Sequence, residues 1–395
     1  MSNYLVLDVE TTISNNGNPF DRENKLVYVG LQGHGLFPIE YGDEPYQDRL
    51  NKIQQVIDSV DVLVGFNIKF DLHWLCKYGI VVADKRIWDC QLTQFMLEGQ
   101  QNPYPSLNRT CETYGFETKL DVVKEQYWKN GIDTQDIPRD ILEEYLQKDL
   151  DLTEQVMFKQ RELLKDNKNL SRLISLHNQD LLCLQEMEFN GLLFNQSWSE
   201  TLGYELEEQI AKLDNKLYQY HLFDHFNPNS NDHVSSLLYG GNINYRVQVD
   251  DGFYKSGQKQ GEPKKRWEQK VKQFEPLCKP LKGTELVKEG FYSTDEKTLK
   301  LLKGSKKAKE VINILLTRSE LNKRMTTYYQ GLPNLINEMN WSFGKIYGQL
   351  NQCVAKTGRL ASSKPNLQNF DSEIKGLFYS RYEENVDVRR ESVSA

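Results

Sequence analysis

Two carboxylates within one short apolar segment constrain the fold of this chain more than any other feature. Asp8 and Glu10 lie in the run Tyr-Leu-Val-Leu-Asp-Val-Glu at residues 4–10, which predicts a strand. Residues i and i+2 of a strand point to the same face, so both acids project together. Unit charges about 4 Å apart repel by roughly 4 kcal/mol at an effective dielectric constant near 20. The pair therefore needs a cation, a proton or an arginine, and the first arginine in the chain is Arg22.

Two further segments place acidic residues where they could join this pair. Asp71 follows the apolar run at 62–66, which predicts a buried strand, and Asn67 lies between them. Tyr145 and Asp149 are four residues apart in a segment that predicts a helix, so they share one face of it. We therefore expect four carboxylates, from three separate segments, to converge.

Four converging carboxylates are a set of hard oxygen ligands, which suits Mg²⁺ or Mn²⁺. Two such ions, about 3.5–4 Å apart, can stabilise both the attacking and the leaving oxygen of a phosphodiester displacement. The hydroxyl of Tyr145 can hold the attacking water, because a phenol both donates and accepts hydrogen bonds. The three segments together thus predict a two-metal site for phosphodiester cleavage.

Strand and helix patterns alternate along the first part of the chain. The predicted strands are 4–10, 25–31 and 62–66. The predicted helices are 49–58, 141–164, 170–188, 202–217 and 306–329. Strands that alternate with helices are typical of an α/β sheet, whereas the later part of the chain is predicted to be mostly helical.

Charge is divided unevenly between the two parts of the chain. Residues 1–160 contain 15 Lys and Arg against 26 Asp and Glu, whereas the remaining 235 residues contain 34 against 30. This asymmetry predicts one part that holds metal ions and another that holds a polyanion. The six cysteines show no CxxC spacing, which argues against a structural zinc site and against a disulfide framework.

The most basic stretch lies at residues 254–282. It contains nine Lys and Arg against three glutamates, with Tyr254, Trp267 and Phe274 between them. Two interpretations stay open, a solvated insertion and a phosphate-contacting flap with aromatic anchors.

The three carboxylate segments resemble motifs I, II and III of the DEDD superfamily of 3′–5′ exonucleases, and Tyr145 marks the tyrosine-type branch. The resemblance covers about residues 1–165 and implies a ribonuclease-H-like α/β fold with two metal ions, Mg²⁺ or Mn²⁺. It implies that the metal ligands are Asp8, Glu10, Asp71 and Asp149. It also implies that Tyr145 orients the attacking water and that the substrate is contacted by Thr11, Asn67 and Phe70.

A second resemblance begins at Lys356. The string KTGRLASSKPNLQN at 356–369 is similar to the TGRLSS…PNLQN segment of family A DNA polymerases, and weaker similarities lie at 226–230, 292–294 and 348–352. It implies that Arg359 contacts the minor groove, where every base pair offers an acceptor. Further implied contacts are Asn366 and Gln368 to template or primer, and Lys323 and Arg324 to phosphates of the duplex. Because the basic stretch at 254–282 lies in or near the implied thumb, we hypothesise that it is a flap that grips the duplex.

The two resemblances together predict three domains. They are an exonuclease at 1–168, a mostly helical thumb at 169–340 with a basic insertion at about 243–285, and an incomplete polymerase palm at 341–395. No motif for the catalytic palm aspartate follows Tyr379, so we expect the chain to stop before it, with the residues from about 385 outside the resemblance. An interrupted or split gene is the expected cause.

The expected function is therefore that of the N-terminal portion of a phage-type family A DNA polymerase with a proofreading exonuclease. Expected partners are single-stranded and primer-template DNA and a second polypeptide with the remaining palm and fingers, without which no nucleotide incorporation is expected. The expected location is cytoplasmic, that of a host for a phage gene, because no apolar stretch is long enough for a membrane span. Two alternatives remain: a stand-alone exonuclease for RNA like ribonuclease D, and a non-catalytic primer-template-binding subunit of a split polymerase.

Overall fold

The structure is a computed structural model and describes residues 3–41, 45–118 and 122–380. The chain forms two compact units of mixed α/β composition. The first unit combines the described residues up to 196 with those from 332 onward, and the second covers 197–331. The predicted functional boundaries after residues 168 and 340 differ from these divisions and stay a prediction.

The strands are short except for one long pair in the second unit. In chain order they are β1 (Tyr4–Thr11), β2 (Leu26–Leu31), β3 (Gly35–Pro38), β4 (Val62–Gly65), β5 (Arg86–Asp89), β6 (Leu192–Phe194), β7 (Gly241–Phe253), β8 (Pro263–Phe274), β9 (Lys345–Ile346), β10 (Gln349–Asn351), β11 (Ala361–Ser363) and β12 (Phe378–Tyr379). The strands predicted at 4–10, 25–31 and 62–66 are confirmed as β1, β2 and β4.

Helices make up much of both units. They are α1 (Gln47–Asp58), α2 (Ile68–Lys77), α3 (Cys90–Leu97), α4 (Leu107–Tyr114), α5 (Val122–Gln126), α6 (Arg139–Leu164), α7 (Lys168–Asn190), α8 (Gln196–His221), α9 (Asn231–Tyr239), α10 (Glu296–Leu301), α11 (Lys306–Arg324), α12 (Gly331–Glu338) and α13 (Ser372–Lys375). The predicted helices are confirmed, although the one expected at 306–329 ends at Arg324 and continues as a π-turn. No helix in the described ranges is both long and apolar enough to span a membrane.

A mixed five-stranded sheet in the order β3-β2-β1-β4-β5 organises the first unit. Strand β1 pairs antiparallel with β2 and parallel with β4, and β4 pairs parallel with β5. Every residue of β2 is buried, so its apolar sequence fits a strand that is covered on both faces.

The alternation of β1 decides which helices its side chains meet. Leu5, Leu7 and Val9 pack in one buried cluster, which also contains residues of α1, α2 and α7. Val6 points to the other face and packs in a second cluster with residues of α4 and α6. Asp8 and Glu10 share the parity of Val6, so they project toward α6.

Two small sheets join distant parts of the first unit. Strand β6 lies between β12 and β9 in an antiparallel sheet, so residues near 193 pair with residues near 346 and 378. Strands β10 and β11 form a separate antiparallel pair.

The second unit consists of helices α8 to α11 and the antiparallel pair β7–β8. Its core contains residues from α8, α9 and α11 and from the base of the strand pair. The apolar row predicted for α8 is confirmed as its packing face, since Ile210 and Leu217 are buried. The basic stretch at 254–282, for which the sequence left two interpretations, includes β8 and the turn that precedes it.

Candidate active site

The C-terminal half of β1 carries the first two acidic side chains. Asp8 pairs with Gly30 and Glu10 with Tyr28 in the antiparallel ladder with β2, so their backbones are fixed in the middle of the sheet. Glu10 is buried, whereas Asp8 is partly exposed. The i, i+2 spacing therefore places both carboxylates on the face that α6 covers, as the sequence predicts.

Asp71 reaches the same place from the first turn of α2. Its Oδ1 accepts a hydrogen bond of 3.0 Å from the backbone N–H of Val9, the residue between Asp8 and Glu10. Burial raises the pKa of Asp71 well above its ordinary value, and the nearby negative charge of Asp8 raises it further. A divalent cation would counter both effects, because it favours the ionised carboxylates.

The turn that leads into α2 depends on an acidic residue that the sequence did not single out. Asn67 has left-handed backbone angles (φ 63°, ψ 42°) immediately before α2, and its N–H donates to Oδ1 of Asp89 at 3.1 Å. The same oxygen caps α3 by accepting from the N–H groups of Gln91 and Leu92. Burial raises the pKa of Asp89 to about 6, although these backbone bonds oppose the shift. An aspartate directly before the first residue of a helix is the capping signal that could have revealed it.

Helix α6 supplies the remaining two predicted residues. Tyr145 and Asp149 are both buried and lie one turn apart. The ring of Tyr145 meets the ring of Trp128 edge to face, with centroids 5.9 Å apart. Trp128 was not predicted, because nothing near it in the sequence resembles a motif.

All five predicted catalytic residues line one cleft with a volume of about 550 Å³. One carboxylate oxygen from each of Asp8, Glu10 and Asp149 lies within 4.8 Å of the others. Oxygens bound at about 2.1 Å to an octahedral Mg²⁺ are at most about 4.2 Å apart, so modest side-chain rotations would complete the coordination. The all-oxygen donor set and this spacing fit a hard divalent cation.

The predicted substrate contacts Thr11, Asn67 and Phe70 also line the cleft. Gly17 closes one side of it in a left-handed conformation (φ +67°), and a Cβ there would lie 2.4 Å from Oγ1 of Thr11. Because any side chain would collide with Thr11 and strain the backbone, a glycine is required at this position. It lies at the end of an Asn-Asn-Gly turn, which is the sequence signal for it.

A buried ionic network supports α2 from behind. Oε1 of Glu188 on α7 accepts from Nζ of Lys69 at 2.7 Å and from the N–H of Leu350 at 2.5 Å, and Oε2 accepts from Nε2 of His73 at 2.8 Å. Nζ of Lys69 also donates to the carbonyl of Leu350 at 2.6 Å. Burial raises the pKa of Glu188, but its bonds to His73 and Lys69 outweigh burial, so the net shift is downward. Lys69 and His73 flank Asp71 in the sequence, so this network anchors the helix that carries it.

The predicted contacts of the later segment lie elsewhere. Arg359 is exposed in the loop before β11, and the side chain of Gln368 donates to the carbonyl of Leu360 at 2.9 Å. Oδ1 of Asn366 accepts from the N–H of Gln368 at 3.1 Å. None of these three described residues lines the carboxylate cleft, so the amide side chains shape their own loop.

Lys323 and Arg324 are the last two residues of α11, in the second unit. Lys323 is exposed and borders a cavity of about 490 Å³ together with Glu296 and Lys300. Its electrostatic attraction contributes to the lowered pKa of Glu296, after the larger effect of Lys300. Their predicted contacts with DNA phosphates stay a prediction.

Comparisons with known proteins show which proteins this chain is similar to. Residues 268–394 match the family model described as DNA polymerase family A. A DNA polymerase of Bacillus phage SP01 is 24% identical over 427 aligned residues, which cover 96% of this chain. DNA polymerase I of a Synechocystis species is 25% identical over 362 residues, which cover 90% of it. The chain is thus similar to DNA polymerases of family A, through the family model at residues 268–394 and through these relatives along most of its length.

A solved structure has a similar fold. The polymerase domain of Pol1 from M. smegmatis, in complex with a DNA primer-template and dNTP, matches 95% of this chain with a TM-score of 0.63 and 16% sequence identity. The match covers 54% of that protein, and the alignments above cover 45% of the phage polymerase and 32% of the cyanobacterial one. The chain thus spans about half or less of the length of these relatives.

The family match corrects one expectation about the end of the chain. We expected the residues from about 385 to fall outside the resemblance, yet the match to the family model extends to residue 394. Residues 381–395 lie outside the described part of the structure. The string at 356–369, which carried the resemblance to family A, lies within the matched range.

Proposed function

We propose that this part of a family A DNA polymerase is a metal-dependent 3′–5′ exonuclease that removes nucleotides from DNA. The observation that carries the proposal is the meeting of Asp8, Glu10 and Asp149 within 4.8 Å, in a cleft that Asp71 and Tyr145 also line. Acidic residues from three distant segments converge on one face of one sheet. A surface-exposed cluster of acids would not need the buried bond from Val9 that holds Asp71 there.

The architecture around the cleft supports the ribonuclease-H-like fold that the exonuclease resemblance implies. A mixed sheet with both faces covered by helices carries two of the acids on its central strand. The other two lie at the start of α2 and in the middle of α6. The two helices therefore approach the same strand from different directions with their acidic residues toward its end.

Each residue has a separate task in the proposed reaction. Asp8, Glu10, Asp71 and Asp149 would hold two divalent cations, which stabilise the charge on the attacking and leaving oxygens of a phosphodiester. The edge-to-face contact with Trp128 fixes the ring of Tyr145 beside Asp149, where its hydroxyl would orient the attacking water. By positioning these groups, the protein would lower the entropy cost of bringing the water and the phosphodiester together.

The substrate we propose is the single-stranded 3′ end of DNA. Thr11, Asn67 and Phe70 line the cleft beside the carboxylates, so a terminal nucleotide in the cleft would contact an aromatic face and two polar side chains. The structural neighbour was solved with a DNA primer-template, which supports DNA as the polymer. We also propose that Arg359, Asn366, Gln368, Lys323 and Arg324 contact primer-template DNA.

The test is hydrolysis of a 5′-labelled single-stranded DNA oligonucleotide in Mg²⁺ by the full chain. Asp71→Ala should lower the rate by more than about 100-fold, because even residues that only support metal ligands contribute about 10–100-fold. The matched control is Asp180→Ala, which removes an exposed carboxylate on α7 and should retain the parent rate. Hydrolysis that survives in Asp71→Ala at the parent rate would show that the site assignment is wrong.

Two further comparisons separate this proposal from its alternatives. Tyr145→Phe removes only the hydroxyl, so it should lower kcat with little change in KM if that group orients water. A ribonuclease-D-like enzyme would degrade the matching RNA oligonucleotide faster than the DNA. A non-catalytic DNA-binding subunit would bind primer-template yet release no nucleotide from either polymer, whether or not a second polypeptide is bound.

A further inference from the structure

Strands β7 and β8 form a long two-stranded ribbon in the second unit. They pair antiparallel in continuous register from Gly241 with Phe274 to Asp250 with Lys265. Ile243 and Phe274 are buried in the core of the unit and anchor the base of the ribbon. Beyond this base most residues are partly or fully exposed. About ten residues of each strand lie beyond it, which gives the ribbon a length on the order of 30 Å.

The ribbon contains a surplus of positive charge. Residues 241–274 include eight Lys and Arg against four Asp and Glu. The part of the chain after residue 160 has the same surplus of four, so its remaining residues are neutral in sum. The ribbon is therefore the basic region that the charge asymmetry of the sequence predicts.

The cations on β8 are arranged by the period of the strand. We use the name basic row for the cations that occupy four of five successive same-face positions, Lys264, Arg266, Lys270 and Lys272; Glu268 occupies the fifth. Same-face neighbours on an antiparallel strand are about 6.8 Å apart. Phosphates along one DNA strand rise by about 3.4 Å per nucleotide along the helix axis and also wind around it, so the row repeats its charges on the same length scale as the DNA backbone.

Part of the basic row is already neutralised within the ribbon. Lys264 lies 2.6 Å from a carboxylate oxygen of Asp251, and Arg266 lies 4.0 Å from the other. Among the residues that the structure describes, no carboxylate lies within 4 Å of Lys270 or Lys272. Lys270 is exposed, and Lys272 is half-buried with its Nζ 5.9 Å from the ring centroid of Phe274. Neither of the two charges is neutralised by a described carboxylate, so both can attract a polyanion.

The face of the basic row favours duplex over single-stranded nucleic acid. Proteins bind single strands largely by stacking bases on aromatic side chains. Two aromatic residues share this face by register. Phe274 is buried at the base of the ribbon, and the ring of Tyr245 packs against those of Phe223 and His225, with centroids 4.8 and 4.9 Å away. Trp267, which is 64% exposed, points to the opposite face. The face thus presents cations without a free aromatic platform.

We propose that the basic row binds the phosphate backbone of double-stranded DNA. The proposal deepens the proposed function, since it rests on DNA as the substrate, and it assigns the contact to one face of the ribbon. Val247 and Val249 lie on the same face as the row and are half-buried, so the face carries both apolar and cationic side chains. Contacts of this kind depend on charge and carry no sequence preference.

The experiment measures binding of a fluorescent duplex with a recessed 3′ end to the full chain across a range of salt concentrations, in EDTA so that no hydrolysis occurs. Lys270→Gln with Lys272→Gln should reduce the slope of log K against log salt by about 2, one for each phosphate that is no longer neutralised. The matched control, Arg246→Gln with Lys265→Gln, removes the same charge from the opposite face and should leave the slope unchanged.

A gain of binding provides an independent second variant. Asp251→Asn would release Lys264 and Arg266 from their shared carboxylate, so affinity should rise and the slope should steepen by about 1. The proposal is overturned if the parent chain does not bind the duplex, if the two double variants behave alike, or if the slope is unchanged by Lys270→Gln with Lys272→Gln. Because the assay reads binding only, failure of the exonuclease assignment would appear separately, as absence of hydrolysis by the parent chain.

Discussion

The carboxylate cleft and the basic ribbon both face phosphates in our proposals, but they are built in opposite ways. In the cleft, Glu10, Asp71 and Asp149 are buried, and Asp71 is held by a backbone hydrogen bond. On the ribbon, Lys270 is exposed and Lys272 is half-buried, and neither has a described carboxylate within 4 Å. One region holds its charges in fixed positions, whereas the other only repeats them at a regular interval.

The difference follows from what each region is proposed to do. Metal-assisted hydrolysis requires ligands at defined distances, so the cleft needs support from several helices and tolerates little movement. Attraction of a polyanion needs charge near the surface, where flexible side chains can follow a regular backbone. The cleft therefore concentrates unfavourable like charges that need a cation, and the ribbon presents cations that need an anion.

Removal of divalent metal should produce the largest difference between the activities of the two regions. In EDTA, hydrolysis of single-stranded DNA should become undetectable, because the four carboxylates would have no cation to hold and no charge to place against the phosphate. Binding of duplex by the ribbon should persist, because it depends on lysine and arginine alone. Hydrolysis rates and duplex affinity are measured on the same protein with EDTA and after Mg²⁺ is restored. An equal decrease of both activities in EDTA would contradict the division.

The next largest effect is expected from the network behind the cleft. Glu188→Ala would leave the buried His73 and the half-buried Lys69 without their carboxylate, and should reduce the free energy of unfolding by about 3–5 kcal/mol. The control Glu186→Ala lies on the same helix at an exposed position, and a change within about 0.5 kcal/mol is expected there. Urea titration of both variants checks this. Equal stabilities would mean that the support of α2 does not come from this network.

The sequence predicted the parts of the site that depend on local periodicity. The i, i+2 spacing of Asp8 and Glu10 and the i, i+4 spacing of Tyr145 and Asp149 describe single elements, so their shared faces could be predicted, and the structure brings all four to one cleft. Asp71 could be predicted from its place just after the apolar run at 62–66, and the resemblance to known exonucleases implied its role as a metal ligand. Their catalytic roles stay predictions, because geometry alone does not measure activity.

The parts that could not be predicted depend on contacts between distant segments. Glu188 is 119 residues from Lys69 and 162 from Leu350, so no local pattern reveals their meeting. The ribbon was recognised only as a basic stretch at 254–282, because the charged sequence of β8 lacks the apolar alternation of a half-buried strand. Its partner β7 begins at Gly241, outside that stretch, and only the pairing register shows which cations share a face.

The smallest predicted effect concerns the stability cost of the cleft itself. The pKa of Asp71 lies above its ordinary value of 3.8, first because of burial and then because of Asp8, so the folded state binds this proton more tightly than the unfolded state. Its contribution to stability is therefore complete below about pH 3.8 and is lost as pH rises through the folded pKa.

Asp71→Asn keeps the shape of the side chain, and its amide oxygen can still accept from the N–H of Val9. In EDTA at neutral pH it should therefore raise Tm, by about 2–4 °C for each 1 kcal/mol of unfolding free energy recovered. Mg²⁺ should reduce the difference in Tm between Asp71→Asn and the parent chain, because the ion stabilises the parent. The control Asp180→Asn, at an exposed position, should have the Tm of the parent in both EDTA and Mg²⁺. A Tm for Asp71→Asn below that of the parent in EDTA would show that this carboxylate stabilises the fold, and that the cleft does not store like charge for a cation.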